Sequence, residues 1–248
     1  MTIASTPLGA VEGIDLGGVE RYAGIRYAKA PVGDLRFRPP VPVDASDGTY
    51  DATNFGAAAP QPEPIAGGLG LFGSRGTNED CLFLNVFTPR ADDAKRPVMV
   101  WIHGGAYTIG SGEMYDGSSF ARRGDVVVAT LNYRLGILGW IPLDHLDPSL
   151  EGSGNNGVRD QIEALRWVRD NIASFGGDPD NVTIFGESAG GGSVGAIFAA
   201  PSADGLYHKA IMQSGAPGFG TPVGAEGYTS GLLETIGSPG GGIDALRA

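Results

Sequence analysis

Four short stretches are apolar at almost every position: Pro97-Val98-Met99-Val100-Trp101-Ile102, Val126-Val127-Val128-Ala129-Thr130-Leu131, Val182-Thr183-Ile184-Phe185 and, more weakly, Ala210-Ile211-Met212. Runs of that length predict strands covered on both faces, as in a mainly parallel sheet flanked by helices. Between the second and third, Val158, Ile162, Leu165, Val168, Ile172 and Phe175 recur at steps of three and four, the period of a helix with one apolar stripe. Arg159, Asp160, Glu163, Arg166, Arg169 and Asp170 fall on its other side, and Gly176-Gly177 with Pro179 end it. A second helix is predicted from Ser188 to about Ala200, before Pro201. Strand, helix, strand, helix, strand from about 126 to 213 is an α/β signature.

Upstream the pattern is different. Thr2-Ile3-Ala4-Ser5, Gly9–Gly13 and Val19–Gly24 read as short antiparallel strands, and Leu82–Phe87 as another. From Pro31 to Pro64 frequent prolines predict an irregular, mostly surface region. Beyond Gly218 apolar density falls and glycine rises, leaving only a short helix around Thr229–Ile236. The domain reading is therefore one α/β unit over residues 1–217, with 218–248 as a glycine-rich start of the next segment.

Composition narrows the chemistry. The 248 residues carry a formal net charge of −11, which disfavours nucleic acid as a partner, and no apolar run reaches the length of a membrane span. Cys81 is the only cysteine, and His103, His145 and His208 share no ligand spacing, so no metal is expected. No phosphate loop or dinucleotide fingerprint is present, so no cofactor is expected either. Met1–Pro7 lacks the basic and apolar segments of a signal peptide, which predicts a cytoplasmic location. Many of the 42 glycines lie in clusters between apolar runs, where sharp strand-to-helix turns would need them.

Gly186-Glu187-Ser188-Ala189-Gly190 has the G-x-S-x-G form of a nucleophile elbow. In such a turn the serine takes strained backbone angles and projects above the sheet, and its flanking positions must be small. In so glycine-rich a chain the motif alone is weak. Its context, strand before and small-residue helix after, is the confirming one. The alternative is a tight packing turn in which Ser188 merely caps a helix. A second motif, His103-Gly104-Gly105-Ala106, follows directly on the strand ending at Ile102. A glycine-rich turn there can aim backbone N–H groups at an anion, and loss of one such donor typically costs about 3–4 kcal/mol of transition-state stabilisation. The donors assigned are the amides of Gly105, Ala106 and Ala189.

Further stretches carry a resemblance: Gly24-Ile25-Arg26-Tyr27-Ala28, Asn78-Glu79-Asp80-Cys81-Leu82, Asn132-Tyr133-Arg134-Leu135-Gly136, Gly154-Asn155-Asn156-Gly157, Ser174-Phe175-Gly176-Gly177-Asp178-Pro179 and Gln213-Ser214-Gly215. With the two motifs above, in this order from about residue 5 to 217, the chain resembles the type-B carboxylesterases, a group of α/β-hydrolases that includes cholinesterases and many lipases. The resemblance implies an α/β-hydrolase fold and ester hydrolysis through an acyl-serine on Ser188. It suggests that Glu187 orients site water or a cationic substrate group, with a buried, locally hydrogen-bonded carboxylate as the equal alternative, and that the substrate is a small neutral or cationic ester. A cysteine that pairs with the Cys81 position in many relatives is replaced at Ala59-Pro60-Gln61, so Cys81 should be a free thiol. The family's acid and histidine follow the serine far downstream, whereas His208 lies only 20 residues beyond it. The three histidines are expected to be structural or solvated, and Asp125, Arg134 and Asp160 to form structural ion pairs. The chain reads as the N-terminal half of such an enzyme. Alone it should be weakly active or inactive, with an unpaired sheet edge that favours self-association. A non-catalytic cholinesterase-like binding module, and a fragment completed by a second chain, are the competing readings.

Overall fold

The computed structural model describes residues 1–62, 76–216 and 224–247. Among these residues nine strands form one sheet: β1 Thr2–Thr6, β2 Gly9–Asp15, β3 Glu20–Arg26, β4 Thr49–Asp51, β5 Phe83–Thr88, β6 Arg96–Ile102, β7 Val127–Leu131, β8 Gly177–Glu187 and β9 Lys209–Gln213. Their spatial order is β1-β2-β3-β5-β7-β6-β8-β9, with β4 beside β2. The pairs from β1 through β7 along that path are antiparallel, and the block β7-β6-β8-β9 is parallel. This is a mixed sheet with flanking helices, the arrangement that the resemblance to α/β-hydrolases implies.

The helices are α1 Ser118–Gly124, α2 Gly136–Trp140, α3 Asn156–Asn171, α4 Ala189–Phe198, α5 Ala225–Thr235 and α6 Ile243–Arg247. The apolar stripe of α3 continues through a tighter turn, Ile172–Phe175, and ends at Gly176, whose φ of +79° suits a glycine. Ile162, Leu165, Val168, Ile172 and Phe175 join Val98, Val100, Ile102, Val182, Ile184, Val194 and Ile197 in the main core. On the opposite face α1 covers β5 and β7 through Ala121, Phe87 and Val128.

Three local expectations change. The proline-rich region beginning at Pro31 contains β4 and buries Phe37, Ala52, Ala58 and Ala59, so it wraps the core rather than lying over it; Pro64 falls outside the described residues. The tail holds two helices, because Leu232, Ile243 and Leu246 pack against Phe37, Ile141, Leu143 and Leu150 and supply a burial that local propensity does not reveal. Finally, the parallel strands are not covered on both faces. β9 ends the sheet with every residue exposed, and Met99, Trp101, Tyr115, Phe120, Phe185 and Ile211 line an open groove of about 510 Å³. Among the described residues no helix is long and apolar enough to cross a membrane.

Candidate active site

The register Ile102↔Gly186 between β6 and β8 sets what emerges at their C-terminal ends. Two parallel neighbours stop together, and His103-Gly104-Gly105 leaves beside Glu187-Ser188. Ser188 has φ +56° and ψ −120°, a conformation that costs a non-glycine residue roughly 1–3 kcal/mol. It is held by two backbone hydrogen bonds. Its N–H donates to the Gln213 carbonyl at 2.8 Å, and its carbonyl accepts from Gly192 N–H at 2.9 Å, which closes the first turn of α4.

The flanking glycines are required by close approach. A β-carbon on Gly190 would stand 2.0 Å from the Ile102 carbonyl oxygen, and one on Gly186 2.6 Å from the Gly190 carbonyl carbon. Gly104 lies against the serine itself: a β-carbon there would be 3.2 Å from Ser188 Cβ. Strand, sharp turn and helix thus meet through bare backbone, and Ser188 stands half-buried at the rim.

The loop after β6 runs through three left-handed residues, Gly105 at φ +108°, Ala106 at +53° and Tyr107 at +60°. Two of these carry side chains, at a cost of about 1–2 kcal/mol each. The loop is anchored at several points. The Gly105 carbonyl accepts from Thr108 and Ile109 N–H, both at 3.0 Å, and the Gln61 amide clamps Gly110 by donating to its carbonyl (3.0 Å) and accepting from its N–H (2.8 Å). The N–H groups of Gly105, Ala106 and Ala189 donate to no partner among the described residues. Ala189 N–H also lies at the first turn of the ten-residue α4, where the helix dipole adds partial positive charge.

None of the histidines bonds to Ser188 among the described residues. His103 is 1% exposed, stacked on Tyr133 at 4.4 Å, and its Nδ1–H donates to the Gly104 carbonyl at 2.8 Å. Burial pushes its pKa down to about 4, so the ring is neutral near pH 7. His208 Nδ1 accepts from Val182 N–H at 3.1 Å, at the start of β9. Five strand residues lie between it and the serine end of the sheet, about 17 Å. His145 is exposed in the segment after α2.

Glu187 is exposed, and its carboxylate reaches back toward Gly104, where a β-carbon would be 3.2 Å from Oε2. Burial raises the pKa of the nearby Tyr115 phenol, and the Glu187 charge adds to that. Of the expected ion pairs, Arg134 binds Asp160 inside the protein, 2.6 Å from Nη2 to Oδ1, whereas Asp125 pairs with Arg96. Cys81 is a buried free thiol, and burial raises its pKa. Tyr107, Tyr133 and Trp140, packed in sequence beside the loop, were not legible as site residues, since aromatic spacing of this kind has no helical or strand period.

This geometry agrees with the comparisons. The profile of the Carboxylesterase family matches residues 1–225. The chain belongs to that family. Para-nitrobenzyl esterase of Bacillus subtilis is 46% identical over 247 residues, 99% of this chain and 50% of the relative. Human cocaine esterase is 45% identical over 206 residues, 80% of this chain and 36% of the relative. The crystal structure of the carboxylesterase EST55 of Geobacillus stearothermophilus superposes with a TM-score of 0.92 at 46% identity, over 100% of this chain and 51% of that one. This carboxylesterase-family chain therefore spans about half the length of the relatives it matches.

Proposed function

We propose that the protein hydrolyses small neutral or cationic carboxylic esters through an acyl-serine on Ser188. In this reading Ser188 Oγ attacks the acyl carbonyl, and the carbonyl oxygen gains negative charge opposite the amides of Gly105, Ala106 and Ala189. The tetrahedral species then collapses, the C–O bond to the alcohol breaks, and the departing oxygen takes up the proton that Ser188 Oγ gave up, so that the alcohol leaves. Water afterwards cleaves the acyl-serine by the same route. The observation that carries the reading is the meeting of a strained serine with three unengaged amides, contributed by two elements that close packing holds together. Donors fixed in advance, in a site shielded from water, stabilise developing charge without reorganising. Glu187, beside the loop, is the group that would orient a cationic part of the substrate.

A serine hydroxyl is a weak nucleophile without a neighbouring base. His103 is engaged with Gly104 and His208 lies at the start of β9, away from the serine end of the sheet, so the reading assigns the base and its acid to the half of the relatives' length that this chain does not span. The 248 residues alone should then react slowly. The test is phenol release from a short-chain aryl ester by the wild type and by Ser188→Ala. Slow release that the substitution abolishes is expected. Equal release by both proteins would overturn the role of Ser188, and turnover at ordinary esterase rates would overturn the placement of the base.

A further inference from the structure

The proposed donors come from separate elements, Gly105 and Ala106 from the loop after β6 and Ala189 from α4. Their mutual geometry depends on what fixes loop to helix. One contact is Gly104 against Ser188. A further one is Tyr107. Its ring lies on Trp140, with centroids 4.3 Å apart, and its carbonyl accepts from Gly136 N–H at 2.8 Å. Its hydroxyl reaches across to α4, where a β-carbon on Gly192 would stand 2.6 Å from it. Gly192 is the residue whose N–H closes the turn onto the Ser188 carbonyl.

Ser193 lies beside that hydroxyl, itself 1% exposed and accepting from Gln161 Nε2 at 3.0 Å. Burial raises the pKa of the Tyr107 phenol. The loop end is thus tied by contact to Gly192 of the serine's helix, and the next residue of that helix, Ser193, is bonded in turn to Gln161 of α3. Ala106 and Tyr107 hold left-handed angles that side chains disfavour, so the loop would relax toward other conformations if this tie were cut.

We propose that Tyr107 is a positioning residue whose hydroxyl, seated on Gly192, keeps the amides of Gly105 and Ala106 aligned with Ala189 and Ser188. The proposal rests on the reading of Ser188 given above. Nothing about ring packing on Trp140 needs the hydroxyl, which makes Tyr107→Phe the discriminating change.

The experiment is saturation kinetics of a fluorophosphonate on the whole 248-residue chain, followed by intact mass and by mapping of the adduct. A fluorophosphonate forms a P–O bond to serine as fluoride leaves, and its phosphoryl oxygen needs the same donors. Tyr107→Phe should lower kinact roughly tenfold while KI and Tm stay near wild type, because a donor displaced by a fraction of an ångström weakens reaction more than binding. Gly192→Ala, which drives the hydroxyl away from α4, should act in the same direction. Unchanged kinact in Tyr107→Phe, or a loss confined to KI or tracking a fall in Tm, would overturn the proposal while leaving Ser188 in place. A wild type that gains no adduct on Ser188 would overturn the reading of the serine, and this proposal with it.

Discussion

Gly190 touches Ile102 so closely that a β-carbon on the glycine would stand 2.0 Å from the Ile102 carbonyl oxygen. The start of α4 and the end of β6 therefore meet with no side chain between them. Gly190→Ala should cost about 3 kcal/mol of stability, since neither backbone can retreat without disturbing Ser188 or the loop. Gly231→Ala is the matching control, because Gly231 lies exposed within α5 with nothing near its β-position. That change should stabilise by about 0.5–1 kcal/mol. Urea unfolding of both variants checks the opposite signs.

The Arg134–Asp160 pair is buried, with the side chains 2% and 0% exposed. Burial opposes the Arg134 charge, but the Asp160 carboxylate overrides it and the guanidinium pKa rises. Asp160→Asn leaves that charge without its counterion. A loss of about 3–5 kcal/mol is expected in the same unfolding assay, well above the effect of Asp170→Asn at the exposed Arg169–Asp170 pair.

His103 gives the protein a pH dependence of defined sign. Its pKa falls from 6.5 to about 4 on folding, so between these values the unfolded chain binds a proton that the folded one does not. Stability should be full above about pH 6.5, decline as pH drops toward 4, and level off below, for a total of about 3 kcal/mol. Asp116, whose carboxyl is held below its usual range beside Ser118 and accepts the Ser118 N–H at 2.9 Å, loses its contribution only at lower pH. His103→Phe, which can keep the stacking on Tyr133, should flatten the slope between pH 4 and 6.5 and leave the acid limb intact.

The edge at β9 carries Ile211 at 45% and Met212 at 44% exposure, next to the aromatic groove. Exposed edges with apolar faces pair with other chains. The protein is expected to associate with itself as its concentration rises, and Ile211→Lys should shift light-scattering masses toward the monomer. Equal masses for both proteins at every concentration would remove β9 from consideration.

The parallel block was legible because β6, β7 and the Val182–Phe185 stretch of β8 are apolar at almost every position and α3 repeats with a clear period. The serine turn was legible because close packing demands glycine at Gly186 and Gly190, which leaves a mark in the sequence. Other features leave none. Tyr107 reaches α4 by a left-handed loop, and α5 and α6 form where Leu232 and Leu246 find Phe37 and Leu143, partners nearly 200 and 100 residues away. Such contacts arise from tertiary packing, and no local period announces them. The open groove over Trp101 and Phe185 was also invisible locally, because a strand's sequence tells that a face is apolar and not whether anything lies on it.

The central claim is that Ser188 acts as a nucleophile facing the amides of Gly105, Ala106 and Ala189. With no histidine beside the serine, the second step should be slow as well as the first, so an acyl group from an activated ester should persist on the protein. The most direct measurement is peptide mass mapping after incubation with p-nitrophenyl acetate. One acetyl group on Ser188, absent in Ser188→Ala and reduced in Tyr107→Phe, is the predicted result. Acetyl groups confined to lysines and the N-terminus, with Ser188 unmodified, would contradict it.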